Sequence, residues 1–527
     1  MLSSLIWLPI MGALLIGFLP IATDTTYANT SDGKAPPLSV LKPSTANATL
    51  RNLALAIATI VLGLSIYLTT QFDISRSTMQ FQEHFPWLQS LGISYSLGVD
   101  GISLPLIVLN ALLTWLVVLS TPIEQERPKL FYTLVFLINA GLAGAFLAQD
   151  VLLFVLFYEL ELIPLYLMIA IWGGAKREKA AMKFLIYTAI SGILILAGFV
   201  AFGWIAANPN PSFDYATLKG AALPLSLQIP ILLSLLIGFG IKTPLVPLHS
   251  WLPDTYVEAS TPTAILLGGI LAKLGAYGII RFCLGMFPEA WAYFAPWFAI
   301  WAAAGVLYGT IVAIAQKDIK RMVAYSSIGH MGYILLACAA ATPLSMVGAV
   351  SQMVSHGLIL AILFYLVGVI ETKVRTRELD VLNGLLNPIR GLPAIGAMLV
   401  FGGMASAGIP GMVGFISEFL IFQGSFAKFP ISTLLCIVGT GFTAVYFVIL
   451  LNRTCFGKLD NEKSYYPRIT FTEQVPALIL TVLIIFLGVQ PTWLVRWSEA
   501  TTNQMVAAIP TSTQVSLASP PSLQNQN

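Results

Sequence analysis

Apolar stretches of about 20 residues recur from one end of this chain to the other. That is the length a helix needs to cross the hydrocarbon of a bilayer. Fourteen such segments can be marked, roughly at 2–22, 51–71, 101–121, 130–148, 150–172, 182–206, 229–250, 262–284, 291–315, 322–340, 345–371, 393–421, 431–452 and 475–497. Composition agrees. Hydrophobic residues make up 57% of the chain and charged residues 10%, against about a quarter charged in soluble proteins. The mean hydropathy is +0.83. The expected fold is an all-α polytopic membrane protein with about 14 transmembrane helices. The first segment has no basic stretch ahead of it and no small-residue cleavage site, so it reads as a helix and not as a signal peptide.

Little outside the segments suggests a separate folded domain. Residues 23–50 are polar and rich in Ser, Thr, Asn and Pro, and residues 72–99 form a second long loop. The tail after 500 is rich in Ser, Pro and Gln and is expected to be weakly ordered. Cys283, Cys338, Cys436 and Cys455 show no ligand spacing and read as reduced core residues. No GxGxxG motif follows a strand, and no P-loop is present. No cofactor or metal site is expected in this chain.

Charge gives the chain a sidedness. Of 27 Lys and Arg residues, 20 fall in loops that follow odd-numbered segments. Five fall on the other side: Arg76, Lys219, Arg281, Lys428 and Arg496. The remaining two are Lys242 and Lys273, inside segments. Under the positive-inside rule the odd loops face the cytoplasm or stroma, and both termini face the opposite compartment.

Those two lysines are the most informative residues. Lys242 lies in GFGIKTPLVPLHSWLPD and Lys273 in TPTAILLGGILAKLGAYGIIRFC. An ammonium in hydrocarbon costs at least a few kcal/mol and is rarely kept without a task. A buried lysine exchanges its proton more readily than a solvated one, so proton transport is the natural task.

Two segments also carry mid-span breakers. Segment 7 has Pro244 and Pro247 just after Lys242, and segment 12 reads GIPGMVGFISEF, with Gly408, Pro410, Gly411 and Gly414 ahead of Glu418. Non-helical backbone at membrane depth survives only where it is buried in protein or lines a wet cavity. Breaker and charge coincide twice, which favours ion sites over packing kinks. The breaks are five helices apart. Five is odd, so segments 4–8 and 9–13 form two inverted five-helix repeats, each with a broken helix, as in many transporters. The corresponding division is 1–128, 129–284, 285–452 and 453–527.

Further polar residues lie within segments. Glu159 and Glu161 occur in FYELELIPLYLMI; two residues are about 200° of helix, so they face opposite ways. One is expected to face the bundle interior and the other a subunit contact. His330 occurs in YSSIGHMGY, His356 in segment 11, and His249 at the end of segment 7. A lone buried histidine is more often structural. Accompanied by two lysines and a glutamate, His330 and His356 read as relay groups; His249 can be either.

Taken as a set, GFGIKTPLVPLHSWLPD, Lys273, VAYSSIGHMGY, HGLILAILFYLVG and GIPGMVGFISEF resemble the antiporter-like subunits of respiratory complex I, over roughly residues 95–455. Glu418 stands where that family's M-type, or chain 4, branch has glutamate and its sister subunits usually have lysine. GISYSLGVDGISLPLIVLN, residues 92–110, leans toward the plastid and cyanobacterial NAD(P)H–quinone oxidoreductases. The resemblance implies a proton wire in which Glu159 pairs with Lys242 and Lys273 links to Glu418; His330 and His356, read above as relay groups, would feed Glu418 along with Lys273. It implies sister membrane subunits as partners. NAD(P)H or ferredoxin, iron–sulfur clusters and quinone would belong to other subunits, and the membrane would be a thylakoid or a bacterial inner membrane. Two features depart from the family: the additional acid Glu161 and the long 23–50 stretch. The alternative function is a subunit of a multi-subunit cation/proton antiporter. A purely structural scaffold is disfavoured by the charged midplane.

The charge split is directly testable. Lys179→Cys in sealed, oriented vesicles is expected to react with an impermeant thiol reagent only from the cytoplasmic or stromal side. Labelling only from the other side would overturn the topology.

Overall fold

A computed structural model of the chain describes residues 1–20, 45–88, 91–206, 211–457 and 466–510. Lys34, Lys42, Lys458, Lys463, most of the 23–50 loop and the tail beyond 510 lie outside the described residues.

The helices run in the order α1 (Leu2–Phe18), α2 (Thr45–Gln71), α3 (Ser103–Ser120), α4 (Pro128–Leu147), α5 (Val151–Trp172) and α6 (Arg177–Ala206). The short α7 (Tyr215–Lys219) precedes α8 (Leu225–Lys242), α9 (Trp251–Glu258), α10 (Thr261–Leu284), α11 (Pro288–Ile314) and α12 (Ile319–Ala340). Then come α13 (Pro343–Val374), α14 (Pro393–Ser406), α15 (Val413–Phe426), α16 (Pro430–Thr454), α17 (Phe471–Val489) and α18 (Thr492–Ala507). Among the described residues, 12 helices are long and apolar enough to cross a membrane, and three shorter apolar helices, α1, α14 and α15, accompany them.

Burial sorts these helices into layers. The most apolar stretch of α10 is entirely buried, and those of α12 and α13 nearly so. In α2, α6, α16 and α17 well under half is buried. The outer helices instead turn large apolar side chains outward, such as Ile186, Ile190, Ile193 and Trp204 on α6 and Leu434, Val438 and Val448 on α16. Exposed apolar surface on this scale marks contact with lipid or with other subunits. The three central helices are those that carry Lys273, His330 and His356. They approach closely where glycine permits: a Cβ on Gly357 of α13 would come within 2.6 Å of the Gly269 carbonyl of α10.

The chain is mostly helical, as expected, and the correction concerns the loop at 72–99. Residues 72–99 contain an antiparallel hairpin, β1 (Gln80–Leu88) and β2 (Ile93–Val99), with Phe85 opposite Tyr95. β1 is largely exposed on both faces, so it carries no alternation of buried and exposed residues to mark it as a strand. Asp150 ties the hairpin to the bundle: it accepts from Leu152 and Leu153 N–H at the start of α5 (2.9 and 3.1 Å) and from Ser94 N–H of β2 (2.9 Å). Three donors without other partners are thus satisfied by one carboxylate.

The break expected in segment 12 is present: the segment is two helices, α14 and α15, separated by residues 407–412. Two smaller corrections follow. The tail is helical as far as Ala507, in α18. Arg281, counted with the five cations of the sparsely charged side, is buried in α10, where its guanidinium meets Asp100 at 2.6 Å. An ion pair removes the reason to expect that arginine at the surface.

Candidate functional site

The site begins with a break in the helix after Lys242. Pro244 and Pro247 lack the N–H groups that would continue α8. Pro244 leaves the Gly240 carbonyl without its helical donor, and carbonyls around the break take other donors. Leu245 N–H reaches back five residues to the Gly240 carbonyl (2.8 Å), the Trp251 indole donates to the Ile241 carbonyl (2.8 Å), and the Trp301 indole donates to the Val246 carbonyl. The break is therefore a built structure. It leaves Lys242 as the last residue of α8, almost fully buried, where the macrodipole of a helix C-terminus favours a cation.

The Lys242 ammonium is paired with Glu161, also wholly buried, and lies 4.0 Å from the centroid of the Tyr158 ring. The Tyr158 hydroxyl contacts Ser191 Oγ at 2.8 Å, and Ser191 donates to the Gly238 carbonyl at 2.8 Å. The pairing implied by the family resemblance, Glu159 with Lys242, is not the one observed. Glu159 is half-buried and lies against Gly192 of α6, where its carboxylate occupies the space a Cβ would take. Glu159 still stands within electrostatic reach of Lys242, but the direct ion pair is made by Glu161. Pro164 leaves the Leu160 carbonyl without its helical donor, and α5 is interrupted at Glu161.

Lys273 lies on α10 between two π-helical turns, Leu267–Leu271 and Ile279–Leu284. Its ammonium donates to the Gly268 carbonyl five residues earlier and is fully buried. Such turns inside α-helices are frequent at functional sites. α10 packs on the end of α8 at Gly275, where a Cβ would lie 2.7 Å from Thr243 N. The helices carrying the two lysines therefore touch beside the break.

Beyond Lys273 lies a second polar cluster. His356 stands within electrostatic reach of Lys273, and its ring centroid is 5.1 Å from that of His330. Neither ring nitrogen of His356 has a hydrogen-bond partner among the described residues. His330 Nδ1 is 3.3 Å from Glu418 Oε1, and its Nε2 is 3.1 Å from Ser406 Oγ. Thr440 donates to Glu418 Oε2 at 3.2 Å. Gly408, at φ +68, sits at the break between α14 and α15; a Cβ there would come within 2.9 Å of the Glu418 carboxylate. Glycine is required twice over, for its backbone and for its lack of a side chain.

Lys273, His330, His356 and Glu418, all singled out from sequence, thus lie in one buried cluster, while Lys242 pairs with Glu161 next to it. His249 lies apart, with Nε2 3.1 Å from the Tyr308 hydroxyl. Sequence reasoning missed the neutral groups. Gln352 meets His330 Nδ1 at 3.4 Å and accepts from Ser417 at 2.5 Å, and Ser355 contacts Ser417 at 2.8 Å. Small hydroxyl residues in a membrane helix carry no signal of their own, since they also serve simply to let helices pack. Among the described residues no group of three or more His, Cys, Asp or Glu could hold a metal ion. Chemically, the arrangement is a series of groups that can each take up or release a proton, enclosed in an apolar bundle.

Comparison with known proteins agrees with this geometry. Residues 148–443 match the family described as NADH:quinone oxidoreductase/Mrp antiporter, transmembrane. The chain is 38% identical over 520 residues to NAD(P)H-quinone oxidoreductase chain 4 of Acaryochloris marina, covering 96% of this chain and 92% of that one. It is 39% identical over 467 residues to a chain 4 protein of Synechococcus sp., covering 86% and 88%. Among solved structures it superposes on a chain of respiratory complex I from Thermus thermophilus with TM-score 0.84 and 26% identity, covering 97% of this chain and 100% of that one. A chain of the Mrp complex from Dietzia sp. shares the fold, with TM-score 0.82 at 19% identity over 98% of both chains. With that sequence match, the overall fold and two buried lysines beside broken helices, the chain belongs to the NADH:quinone oxidoreductase/Mrp antiporter family of transmembrane subunits.

Proposed function

We propose that this chain is the proton-translocating membrane subunit of a complex I-like NAD(P)H– or ferredoxin-driven quinone oxidoreductase, in a thylakoid or bacterial inner membrane. The observation that carries the reading is the buried series Glu161–Lys242, Lys273, His356, His330, Glu418 through the central helices. The chain 4 relatives support the quinone-reducing assembly. Flavin or iron–sulfur centres and the quinone site belong to partner subunits, and sister antiporter-like subunits flank this one. In this reading the 12 long apolar helices and the shorter α1, α14 and α15 belong to a bundle of about 14 crossings, with two inverted repeats over segments 4–8 and 9–13. Purification of the intact complex through this chain tests the assignment. Co-purifying iron–sulfur and quinone-site subunits are expected; co-purification of cation/proton antiporter subunits alone would favour the other branch of the family.

In this reading the Glu161 carboxylate holds Lys242 protonated. Drawing the pair apart leaves an ammonium without its counter-charge in an apolar site, and the proton moves on toward Lys273. His356 and His330 can each accept a proton on one nitrogen and release one from the other. Glu418 takes up the proton when no cation is near and releases it as one approaches.

Three outcomes are expected. Lys242→Ala should lower the proton-to-electron ratio of the assembled complex by this subunit's whole share, and Lys242→Arg should impair it as well, because guanidinium does not give up its proton. A normal ratio in Lys242→Ala would sink the switch role. Glu161→Gln should reduce pumping at least as much as Glu159→Gln at matched assembly levels; loss confined to Glu159→Gln would show that the observed ion pair is not the working one. Glu418→Gln should lower pumping several-fold, whereas Glu418→Lys should keep more of it, since a lysine also exchanges protons. Equal, unimpaired ratios in both variants would remove Glu418 from the wire.

A further inference from the structure

On the hairpin face of the bundle, opposite the basic loops, a cavity of about 320 Å³ opens. At roughly 30 Å³ per molecule it can hold on the order of ten waters. Its walls are polar and charged: Asp100, Gln149, Asp214, Lys219, Arg281 and Thr501. The wire described above does not use this cavity.

Its inner end leads toward Lys273. Arg281, almost fully buried, donates from Nη2 to Asp100 Oδ1 at 2.6 Å and from Nε to the Tyr277 hydroxyl at 3.2 Å. That hydroxyl donates to the Phe146 carbonyl at 3.3 Å. Asp100 is itself held in place, accepting from Ile102 and Ser103 N–H at 3.1 and 3.0 Å. Lys273, Tyr277 and Arg281 follow one another at four-residue steps on α10, so they lie along one side of the helix, each about 6 Å further toward the cavity. The Lys273 ammonium is held back toward Gly268, so it meets the phenol when its side chain swings along the helix to Tyr277, since side chains four residues apart can touch on one helix face.

We propose that this cavity is a second proton outlet, serving Lys273 without passage through Glu418, with Tyr277 as its inner step and the Arg281–Asp100 pair as its gate. The proposal rests on the proton-translocating reading above. In the observed arrangement the outlet is closed: Arg281 occupies a lone pair of the Tyr277 oxygen, and the hydroxyl proton points at Phe146. When Arg281 releases Tyr277 and the Lys273 side chain swings to it, a proton passes from Lys273 Nζ to the phenol oxygen while the phenol's own proton leaves to cavity water. The phenol is regenerated, Lys273 becomes neutral, and one hydronium reaches the open face. Arg281 stays charged throughout. Its guanidinium at the neck repels metal ions arriving from the cavity, as a fixed charge does in other selective pores.

The test uses the intact complex in sealed, oriented vesicles. Ala216 is exposed and lines the cavity. The four cysteines of this chain are buried, so within it a reagent selects the introduced thiol, and the unsubstituted complex treated alike controls for thiols of partner subunits. Ala216→Cys is expected to pump normally until a bulky, impermeant methanethiosulfonate is added on the hairpin side. The proton-to-electron ratio should then lose at least half of what Lys242→Ala removes, and dithiothreitol should restore it. Complete labelling without a change in ratio overturns the outlet, as does a thiol that cannot be labelled from that side. Tyr277→Phe keeps the ring and removes the relay; it should lower the ratio at normal assembly, and an unchanged ratio there also overturns the proposal. If the unlabelled complex moves no protons, the translocation reading itself fails, and the outlet with it.

Discussion

The organisation of this protein follows from the difficulty of keeping charge away from water. Lys242 and Glu161 are buried together in an apolar bundle, and each is tolerable only because of the other. Removing one partner of such a pair typically costs about 3–5 kcal/mol, because the remaining charge is left uncompensated. Net stabilisation by the intact pair is far smaller. The pair is therefore poor cement. It is well suited to a device whose two states differ by whether the charges are together or apart.

The broken helices obey the same constraint in the backbone. Carbonyls left without helical donors where α8 breaks have no water to turn to, so tryptophan indoles and a shifted amide serve them. At the second break, Gly408 supplies the backbone conformation and also the space beside Glu418. Each break thus places an ionisable side chain at membrane depth with irregular backbone next to it. The central position of α10, α12 and α13 completes the arrangement. Helices surrounded by other helices can carry polar groups that a lipid-facing helix cannot.

The hairpin face shows how a polar region is held at the edge of such a bundle. Asp150 binds β2 to the start of α5, and Asp100 caps α3 while holding Arg281. Both carboxylates use backbone amides at helix starts, which are natural anion sites. The Asp100–Arg281 pair also lines the cavity beside the hairpin.

The sequence alone determined the membrane class, the apolar segments, both breaks, and the residues Lys242, Lys273, His330, His356 and Glu418. These are legible because a charge or a proline inside 20 apolar residues is costly wherever the helix packs, so its presence is informative before any packing is known. The tertiary structure decided which groups meet. Glu159 and Glu161 are equally good acids two residues apart, and only the facing of α5 against α8 selects Glu161 for Lys242. Arg281 counted only as a cation of the sparsely charged side until Asp100, 181 positions away in the chain, proved to be its partner. The hydroxyls and Gln352 around His330 were invisible for the same reason: partner choice depends on distances between helices, and the sequence encodes those only through the packing of the whole bundle.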